Sequence, residues 1–220
     1  MFTFKQFHID DTHCAMKVGT DGVLLGAWAA LHESTNLLDI GTGSGLIALM
    51  LAQRNAQAHV TGIELDEAAA ADARQNVAAS PFASRVNIVC GNVLTYPDES
   101  GGAVFDHIVS NPPYHEEELL PPSARRATAR HTSGGGLTFA ALLRTAARLI
   151  APGPQSCFSV ILPSPALPTF LPLAAVHGFY LARQTNVVTR SGKPCKRVLL
   201  EFRLQPTPTA QTDELVLVAD

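Results

Sequence analysis

Short apolar runs alternate with segments of helical spacing along most of the chain. Runs with strand character lie at residues 37–40, 59–65, 86–90, 104–110 and 156–162, and segments with helical spacing lie at 23–31, 46–56, 67–79, 137–149 and 165–177. This alternation predicts an α/β fold with a doubly wound, mainly parallel sheet and helices on both of its faces. Two more strands, at 179–188 and 197–204, should pair as a C-terminal antiparallel hairpin and complete a seven-stranded sheet.

The chain is most simply one domain. Its 220 residues, 46% of them hydrophobic, are enough to bury one good core. We expect residues 1–36 to form an N-terminal cap and helix, and residues 37–220 to form the core of this single domain. Residues 215–218 are a candidate for one more strand at the edge of the sheet.

Three glycines at alternate positions follow the first predicted strand. Asp39 stands near the end of the strand, and Gly41, Gly43 and Gly45 lead into a helix that starts at Leu46. Glycine lets the backbone turn sharply and lets a ligand approach the main chain, where the free N–H groups of the helix face it. Because Leu46 replaces the last glycine of G-x-G-x-x-G, the loop is not a dinucleotide fingerprint, which disfavours an NAD oxidoreductase. It resembles the S-adenosylmethionine loop of class I methyltransferases, and Asp39 and the glycines are expected cofactor contacts.

Polar residues at the ends of the next two strands are candidates for the rest of the same ligand. Glu64 ends the second strand nineteen residues after Gly45, the distance at which a strand-to-helix unit presents a carboxylate to ribose hydroxyls. Asn92 follows the third strand, where an amide can both donate to and accept from an adenine edge. We predict that Glu64, its neighbour Leu65 and Asn92 bind the cofactor.

The segment before the glycine loop offers two further cofactor contacts. Lys17 precedes a glycine and a helix that Thr20 or Asp21 would begin. A lysine and a helix start at this position can reach the carboxylate end of the same ligand, so Lys17 and Thr20 are predicted to bind it. A solvent-exposed lysine is the alternative for Lys17.

The tetrapeptide Asn111-Pro112-Pro113-Tyr114 follows the fourth strand and is the most specific signal in the chain. Two prolines fix the backbone and remove two donors, which leaves the Asn111 side chain and the Pro112 carbonyl as acceptors. Two acceptors could hold both N–H bonds of an exocyclic amine and stabilise the charge that develops when it attacks a methyl sulfonium. Asn111 should also touch the cofactor, and Pro113 and Tyr114 should hold a planar substrate, Tyr114 by stacking.

Two basic segments are candidates for substrate contacts. Arg125, Arg126 and Arg130 lie in a long stretch, 115–136, which could close over the substrate and meet phosphates. The connector 189–197 places four cations in nine residues. A solvated loop is the alternative for the first segment, and a solvated hairpin tip is the alternative for the second.

Longer motifs carry a resemblance to one family, the bacterial tRNA1(Val) (adenine-37-N6)-methyltransferases. The similar stretches are residues 2–7, 14–22, 24–28, 49–54, 110–114, 129–130 and 197–200. The resemblance covers nearly the whole chain, although Asn92 stands where an aspartate is common in the family. It implies a class I methyltransferase of Rossmann-like fold that methylates N6 of adenine 37 in the tRNA anticodon loop, with S-adenosylmethionine as cofactor.

Three other activities share parts of this pattern. A protein glutamine methyltransferase would use the same Asn-Pro-Pro-Tyr tetrapeptide, and so would an enzyme that methylates guanine N2 in ribosomal RNA. A module that only binds a nucleotide or RNA is the non-enzymatic alternative. Methylation of tRNA, with an unpaired anticodon-loop base that is easily reached, is the reading that we prefer.

Composition narrows the setting. The formal net charge is −3, so nucleic-acid binding requires a local basic patch. The four cysteines are scattered and form no C-x-x-C pair, which favours free thiols in a reducing cytoplasm over a zinc site. We find no signal peptide and no apolar run long enough to span a membrane. We therefore expect a cytoplasmic monomer that binds no metal.

Overall fold

A mixed sheet of eight strands forms the centre of the computed structural model, which describes residues 1–31, 33–97, 104–113 and 137–218. Its strands are β3 (Asn36–Ile40), β4 (His59–Glu64), β5 (Val86–Cys90), β6 (His107–Ser110), β7 (Cys157–Pro163), β8 (Tyr180–Val188), β9 (Arg197–Arg203) and β10 (Gln211–Val216). Within the described chain they lie in the order β10-β8-β9-β7-β6-β3-β4-β5. The seven predicted strands are present, and β10 is the eighth, at the edge.

The pairing directions confirm a mainly parallel sheet with a C-terminal antiparallel hairpin. Strands β5, β4, β3, β6 and β7 run parallel to one another. Strand β9 is antiparallel to both β7 and β8, and β10 returns parallel to β8. The carboxyl ends of β3 to β7 therefore meet at one edge of the sheet, which we call the carboxyl edge.

Helices cover both faces of the sheet, as the alternating pattern predicts. The helices are α1 (Thr20–Trp28), α2 (Leu46–Arg54), α3 (Glu67–Ala78), α4 (Phe139–Leu149) and α5 (Leu167–Val176). Helices α1 to α3 share a buried cluster with Leu37, whereas α4 and α5 share the opposite cluster with Leu38. Neighbouring strand residues thus feed two separate cores, which explains why the central strands read as unbroken apolar runs.

Some element boundaries differ from the sequence prediction for local reasons. Helix α1 begins at Thr20, one of the two predicted starting residues, but ends at Trp28 rather than at residue 31, and its N-cap is Gly19, which offers no side-chain cap. Strand β6 is only His107–Ser110, and Phe105 before it makes an isolated bridge to Ile150. Helix α3 begins as predicted, with the Asp66 side chain accepting from the Ala69 amide at 2.8 Å.

A two-stranded hairpin at the N-terminus packs against the body of the domain. Its strands are β1 (Phe2–Thr3) and β2 (His8–Ile9). Phe7 and Ile9 are buried, and Phe4 stacks on Phe7 with ring centroids 4.8 Å apart. Phe7 and Ile9 thus anchor the hairpin to the domain, and the residues that follow it lie at the carboxyl edge of the sheet.

Candidate active site

Two adjoining cavities lie over the carboxyl edge of the sheet. The first has a volume of about 300 Å³ and lies beside Glu64, Asn92 and Pro113. The second, of about 360 Å³, lies beside Lys17 and the start of α1. The two cavities share four lining residues, which are Met16, Gly41, Gly43 and Asn111. The cavities therefore form one cleft that passes over the glycine loop, with Asn111 where its two halves meet.

The glycine loop has the open backbone that its sequence predicts. Gly41, Gly43 and Gly45 have φ angles of +71°, +53° and +81°, a region that residues with a Cβ rarely adopt. A Cβ added at Gly41 or Gly43 would meet no atom within 4 Å, so these glycines border free space. Gly45 borders neither half of the cleft; it is the N-cap of α2 and faces Ala73 of α3.

Asp39 lies behind the glycine loop rather than in the cleft. It is fully buried, and one carboxylate oxygen accepts from the Thr42 hydroxyl at 2.6 Å and from the Ala48 amide at 3.2 Å. Burial raises the pKa of Asp39 to about 7, although these two hydrogen bonds favour the charged form. Its hydrogen bonds hold the glycine loop and the first turn of α2 in place. We predicted a direct contact between Asp39 and the cofactor, but in this position Asp39 instead supports the loop that borders the cleft.

Glu64 joins the second strand to the glycine loop. Its carboxylate accepts from the Gly43 amide at 2.9 Å and from the Asp66 amide at 3.0 Å. A carboxylate has about four acceptor positions, so two remain for hydroxyl donors in the cleft. Leu65, with 65% of its surface exposed, lies next to Glu64 on the wall of the first cavity. Both residues border the cleft, as the prediction that they contact the cofactor requires.

Asn92 borders the far end of the first cavity. Its side-chain oxygen accepts from the Leu94 amide at 3.0 Å, which fixes the turn after β5. This bond uses one of the two acceptor positions of the oxygen, while the amide nitrogen has no hydrogen-bond partner among the described residues. The Asn92 side chain can therefore still both donate and accept, as the predicted contact with an adenine edge requires.

Asn111 follows β6 and lines both halves of the cleft. Its amide nitrogen donates to the Met16 sulfur at 3.6 Å. Its side-chain oxygen is shielded from solvent and has no hydrogen-bond partner in the described part of the chain. Pro113 lines the first cavity, whereas Pro112 is buried and lines neither half. Tyr114 lies outside the described residues.

The segment 10–18 crosses the cleft, and we call it the N-terminal strap. Met16 lies where the two cavities meet, and Lys17 borders the second cavity. The Lys17 ammonium group donates to the carbonyls of Asp11 and Thr12, at 2.6 and 2.9 Å. Two of its three N–H groups therefore close the strap on itself, and the predicted contact with a ligand carboxylate has one donor left.

Helix α3 holds the strap in place. The amide of His13 donates to Asp72 at 2.7 Å, and the His13 ring nitrogen Nδ1 lies 2.8 Å from the other Asp72 oxygen. Asn76 exchanges hydrogen bonds with the backbone of Asp10 at 2.8 and 2.7 Å. The hydrogen bond to Asp72 raises the pKa of His13, because it favours the charged imidazolium.

Thr20 and Asp21 border the second cavity from the side of α1. Thr20 is the first residue of the helix, as predicted, although Gly19 rather than Thr20 occupies the N-cap position. Asp21 binds Arg197 of β9, with an Nε–Oδ2 distance of 2.7 Å. This ion pair joins the N-terminal helix to the C-terminal hairpin at the rim of the cleft.

Comparison with known proteins identifies the family. The model of the methyltransferase small domain family matches residues 15–139. A tRNA1(Val) (adenine(37)-N6)-methyltransferase of Bacteroides fragilis is 44% identical over 201 residues, covering 91% of this chain and 83% of that protein. The Serratia proteamaculans protein of the same name is 45% identical over 217 residues, covering 98% and 82%. The chain belongs to the tRNA1(Val) (adenine(37)-N6)-methyltransferase family.

A solved structure supports the class I methyltransferase fold. A predicted O-methyltransferase from Agrobacterium tumefaciens superposes with a TM-score of 0.69 at 21% identity, covering 91% of this chain and 88% of that one. At this identity the likeness shows the fold alone. The predicted α/β, Rossmann-like methyltransferase fold is thereby confirmed.

Some predicted substrate contacts lie outside the described residues, and one residue that borders both halves of the cleft, Met16, was not predicted. Arg125, Arg126 and Arg130 lie outside the described part of the chain. Met16 was missed, because nothing in the periodicity of the sequence places it beside Asn111. Within the described residues, no three His, Cys, Asp or Glu side chains are grouped as metal ligands would be. None of the described helices is long and apolar enough to cross a membrane.

Proposed function

We propose that this chain transfers the methyl group of S-adenosylmethionine to N6 of adenine 37 in the anticodon loop of tRNA1(Val). Its family membership supports this reaction. The single structural observation that carries the proposal is the position of Asn111, which lines both halves of the cleft and holds a side-chain oxygen with no partner among the described residues.

The residues along the cleft fit S-adenosylmethionine. Free space above Gly41 and Gly43 leaves room for a ligand against the main chain, and Glu64 retains acceptor capacity for the ribose hydroxyls. In this arrangement Leu65 and Asn92 contact the adenine in the first cavity, and Lys17 and Thr20 border the methionine end in the second. When bound, the sulfonium supplies an electrophilic methyl group.

Asn111 borders the cofactor in this proposal, but its catalytic effect is on the target amine. An exocyclic amine is a weak nucleophile, since its lone pair is delocalised into the ring. A hydrogen bond from N6 to the Asn111 oxygen holds the nitrogen in position and stabilises the positive charge that develops on it. The Pro112 carbonyl was the predicted second acceptor, but Pro112 lines neither half of the cleft, so the proposal rests on the Asn111 oxygen. Tyr114 stacks on the base. An anticodon-loop adenine is already outside a duplex, which lowers the cost of presenting it.

A first experiment identifies the product. We expect mass spectrometry of nucleosides, taken from tRNA incubated with the protein and labelled cofactor, to show N6-methyladenosine. Labelled guanosine, or label in a protein glutamine, would instead assign one of the alternative substrates. Absence of label from tRNA, ribosomal RNA and protein would leave a binding module and overturn the proposal.

A second experiment tests the role of Asn111. The variant Asn111→Ala should bind S-adenosylmethionine within about threefold of the original affinity, while methyl transfer falls about 10²-fold because a transition-state contact is lost. Isothermal titration calorimetry and single-turnover assays measure the two quantities. Asn87→Ala is a suitable control, since Asn87 is an exposed asparagine on β5. A loss of cofactor affinity as large as the loss of rate would contradict the assigned role.

A further inference from the structure

The connector between β8 and β9 carries three exposed cations, Arg190, Lys193 and Lys196, which we call the basic ridge. Residues 180–200 contain no Asp or Glu, in a chain whose formal net charge is −3. None of the three cations has an ion pair within the described part of the chain. The ridge is therefore a local patch of positive charge on a weakly acidic protein.

Hydrogen bonds fix the backbone of the ridge. The Lys193 amide donates to the Arg190 carbonyl at 3.1 Å and closes a tight turn, in which Gly192 has a φ angle of +71°. At the other end, the Ser164 hydroxyl donates to the Cys195 carbonyl at 2.6 Å, and the Ser164 amide donates to the Lys196 carbonyl at 3.1 Å. Ser164 directly follows β7, so the ridge is attached to the carboxyl edge of the sheet.

Strand register places the base of the ridge, at Arg197, near Asn111. Ser110 of β6 pairs with Val160 of β7, and Pro163 of β7 pairs with Arg197 of β9. Two strand spacings of about 4.8 Å across the sheet and two residues of about 3.3 Å along the strand separate the backbone of Asn111 from that of Arg197, and these perpendicular displacements combine to roughly 12 Å. Nucleotides rise about 3.4 Å each along a stacked strand, so three or four nucleotides cover this distance.

Arg197 itself has a different task. Its Nε atom lies 2.7 Å from the Asp21 carboxylate, which borders the second cavity. This pair neutralises one of the four cations in the connector and orients the hairpin toward the cleft. The three cations of the ridge are left to face solvent beside the site.

We propose that the basic ridge binds phosphates of the tRNA substrate next to the nucleotide that enters the cleft. This inference rests on the proposed function, since it assumes that RNA is the substrate. Lysine and arginine neutralise phosphates and release bound counterions, so affinity depends on salt. Each contact with a single strand contributes a slope of about −0.7 to the plot of log K against log salt concentration, and three contribute about −2.

The test compares two variants that remove equal charge. The ridge variant is Arg190→Gln, Lys193→Gln, Lys196→Gln. The control variant is Lys5→Gln, Arg74→Gln, Arg144→Gln, which changes three exposed cations elsewhere on the described surface. Fluorescence anisotropy with an anticodon stem-loop RNA, between 50 and 200 mM salt, measures affinity and slope. Methyl transfer to the same RNA measures KM and kcat.

The expected results separate this inference from the proposed function. Between 50 and 200 mM salt, the affinity of the original protein for RNA should fall about 20-fold more than that of the ridge variant. The three lost contacts change the slope by about 2, and a fourfold change in salt then changes affinity by roughly this factor. The ridge variant should raise KM for RNA at least tenfold at 50 mM salt, keep kcat within about twofold, and leave S-adenosylmethionine affinity unchanged. If the original protein methylates the RNA and the ridge variant behaves like the control, the ridge is not a phosphate site. If the original protein methylates no RNA, the proposed function fails first.

Discussion

Gly41 and Gly178 have nearly the same backbone geometry, with φ angles of +71° and +80°, and an added Cβ would meet no atom within 4 Å at either position. The two differ in location, because Gly41 borders both halves of the cleft, whereas Gly178 lies in the turn after α5. Substituting each glycine with alanine therefore distinguishes the effect of backbone strain, which both variants share, from the effect of filling space in the cleft, which only the Gly41 variant has.

Gly41→Ala and Gly178→Ala should each lower the free energy of unfolding by about 1 to 2 kcal/mol, since both force a Cβ into the left-handed region. Only Gly41→Ala should also weaken S-adenosylmethionine binding, at least tenfold, because its methyl group enters the space above the loop. Urea unfolding and calorimetric titration measure the two effects. Equal cofactor affinity in the two variants would show that this part of the loop is not against the ligand.

Residue type and the apolar strand pattern together predicted Gly41, Gly43, Glu64 and Asn111 at the cleft, because each lies at or just after the carboxyl end of a predicted strand. Gly45 was predicted there too, but it borders neither half of the cleft. The same reasoning could not tell that the Asp39 side chain lies behind the glycine loop rather than in the cleft. A carboxylate near a strand end can face a ligand or turn inward, and here the Thr42 hydroxyl and the Ala48 amide hold it behind the loop. Such short-range competition depends on side-chain direction, which the apolar pattern does not encode.

At the scale of elements, the N-terminal strap shows where sequence reasoning stops. The strap is neither helix nor strand, so its sequence has no periodic pattern of apolar residues from which it could be predicted. Its order comes from Asp72 and Asn76 of α3, which lie 59 to 66 residues further along the chain. The central strands and α3, in contrast, were predicted closely. Strands that are buried on both faces have continuous apolar runs in the sequence, and α3 has Asp66 as a recognisable N-cap.

The pairing of His13 with Asp72 predicts how the strap responds to pH. The hydrogen bond to Asp72 raises the pKa of His13 above 6.5, so its contribution is complete below that pH and is lost as the pH rises through the folded pKa. Burial of Asp72 opposes its charge, but the hydrogen bonds from His13 outweigh this and lower its pKa below 3.8. The charged pair therefore stabilises the fold most between about pH 4 and 6.5.

His13→Ala should consequently destabilise the protein more at pH 5.5 than at pH 8.5, as measured by urea unfolding at both values. His59→Ala, an exposed histidine at the start of β4, is the control for general effects of removing an imidazole. A His13→Ala effect that stays the same at both pH values, or an equal pH trend in His59→Ala, would show that the charged pair does not hold the strap.

At the scale of the whole molecule, long-range contacts tie the N-terminal helix to the C-terminal hairpin. The Trp28 indole donates to the Thr185 hydroxyl at 2.8 Å, and the Arg183 guanidinium lies 3.7 Å from the centre of the Trp28 ring. Asp21 and Arg197 add an ion pair across the same interface. The C-terminal hairpin thus supports helix α1, whose first residues border the second cavity of the cleft.

This interface predicts that residues 1–36 and 37–220 unfold as one unit. Trp28 is the only tryptophan, so its fluorescence reports on the interface, whereas far-ultraviolet circular dichroism reports on the whole sheet and its helices. The two urea transitions should coincide. Cofactor at 100 times its dissociation constant should stabilise both by about 2.7 kcal/mol, because a ligand that binds only the folded state shifts the whole cooperative unit. Tryptophan fluorescence that changes at lower urea than the circular dichroism would mean that the N-terminal helix separates first. A cofactor shift seen by only one of the two probes would likewise contradict a single domain, since the cleft walls would then belong to different units.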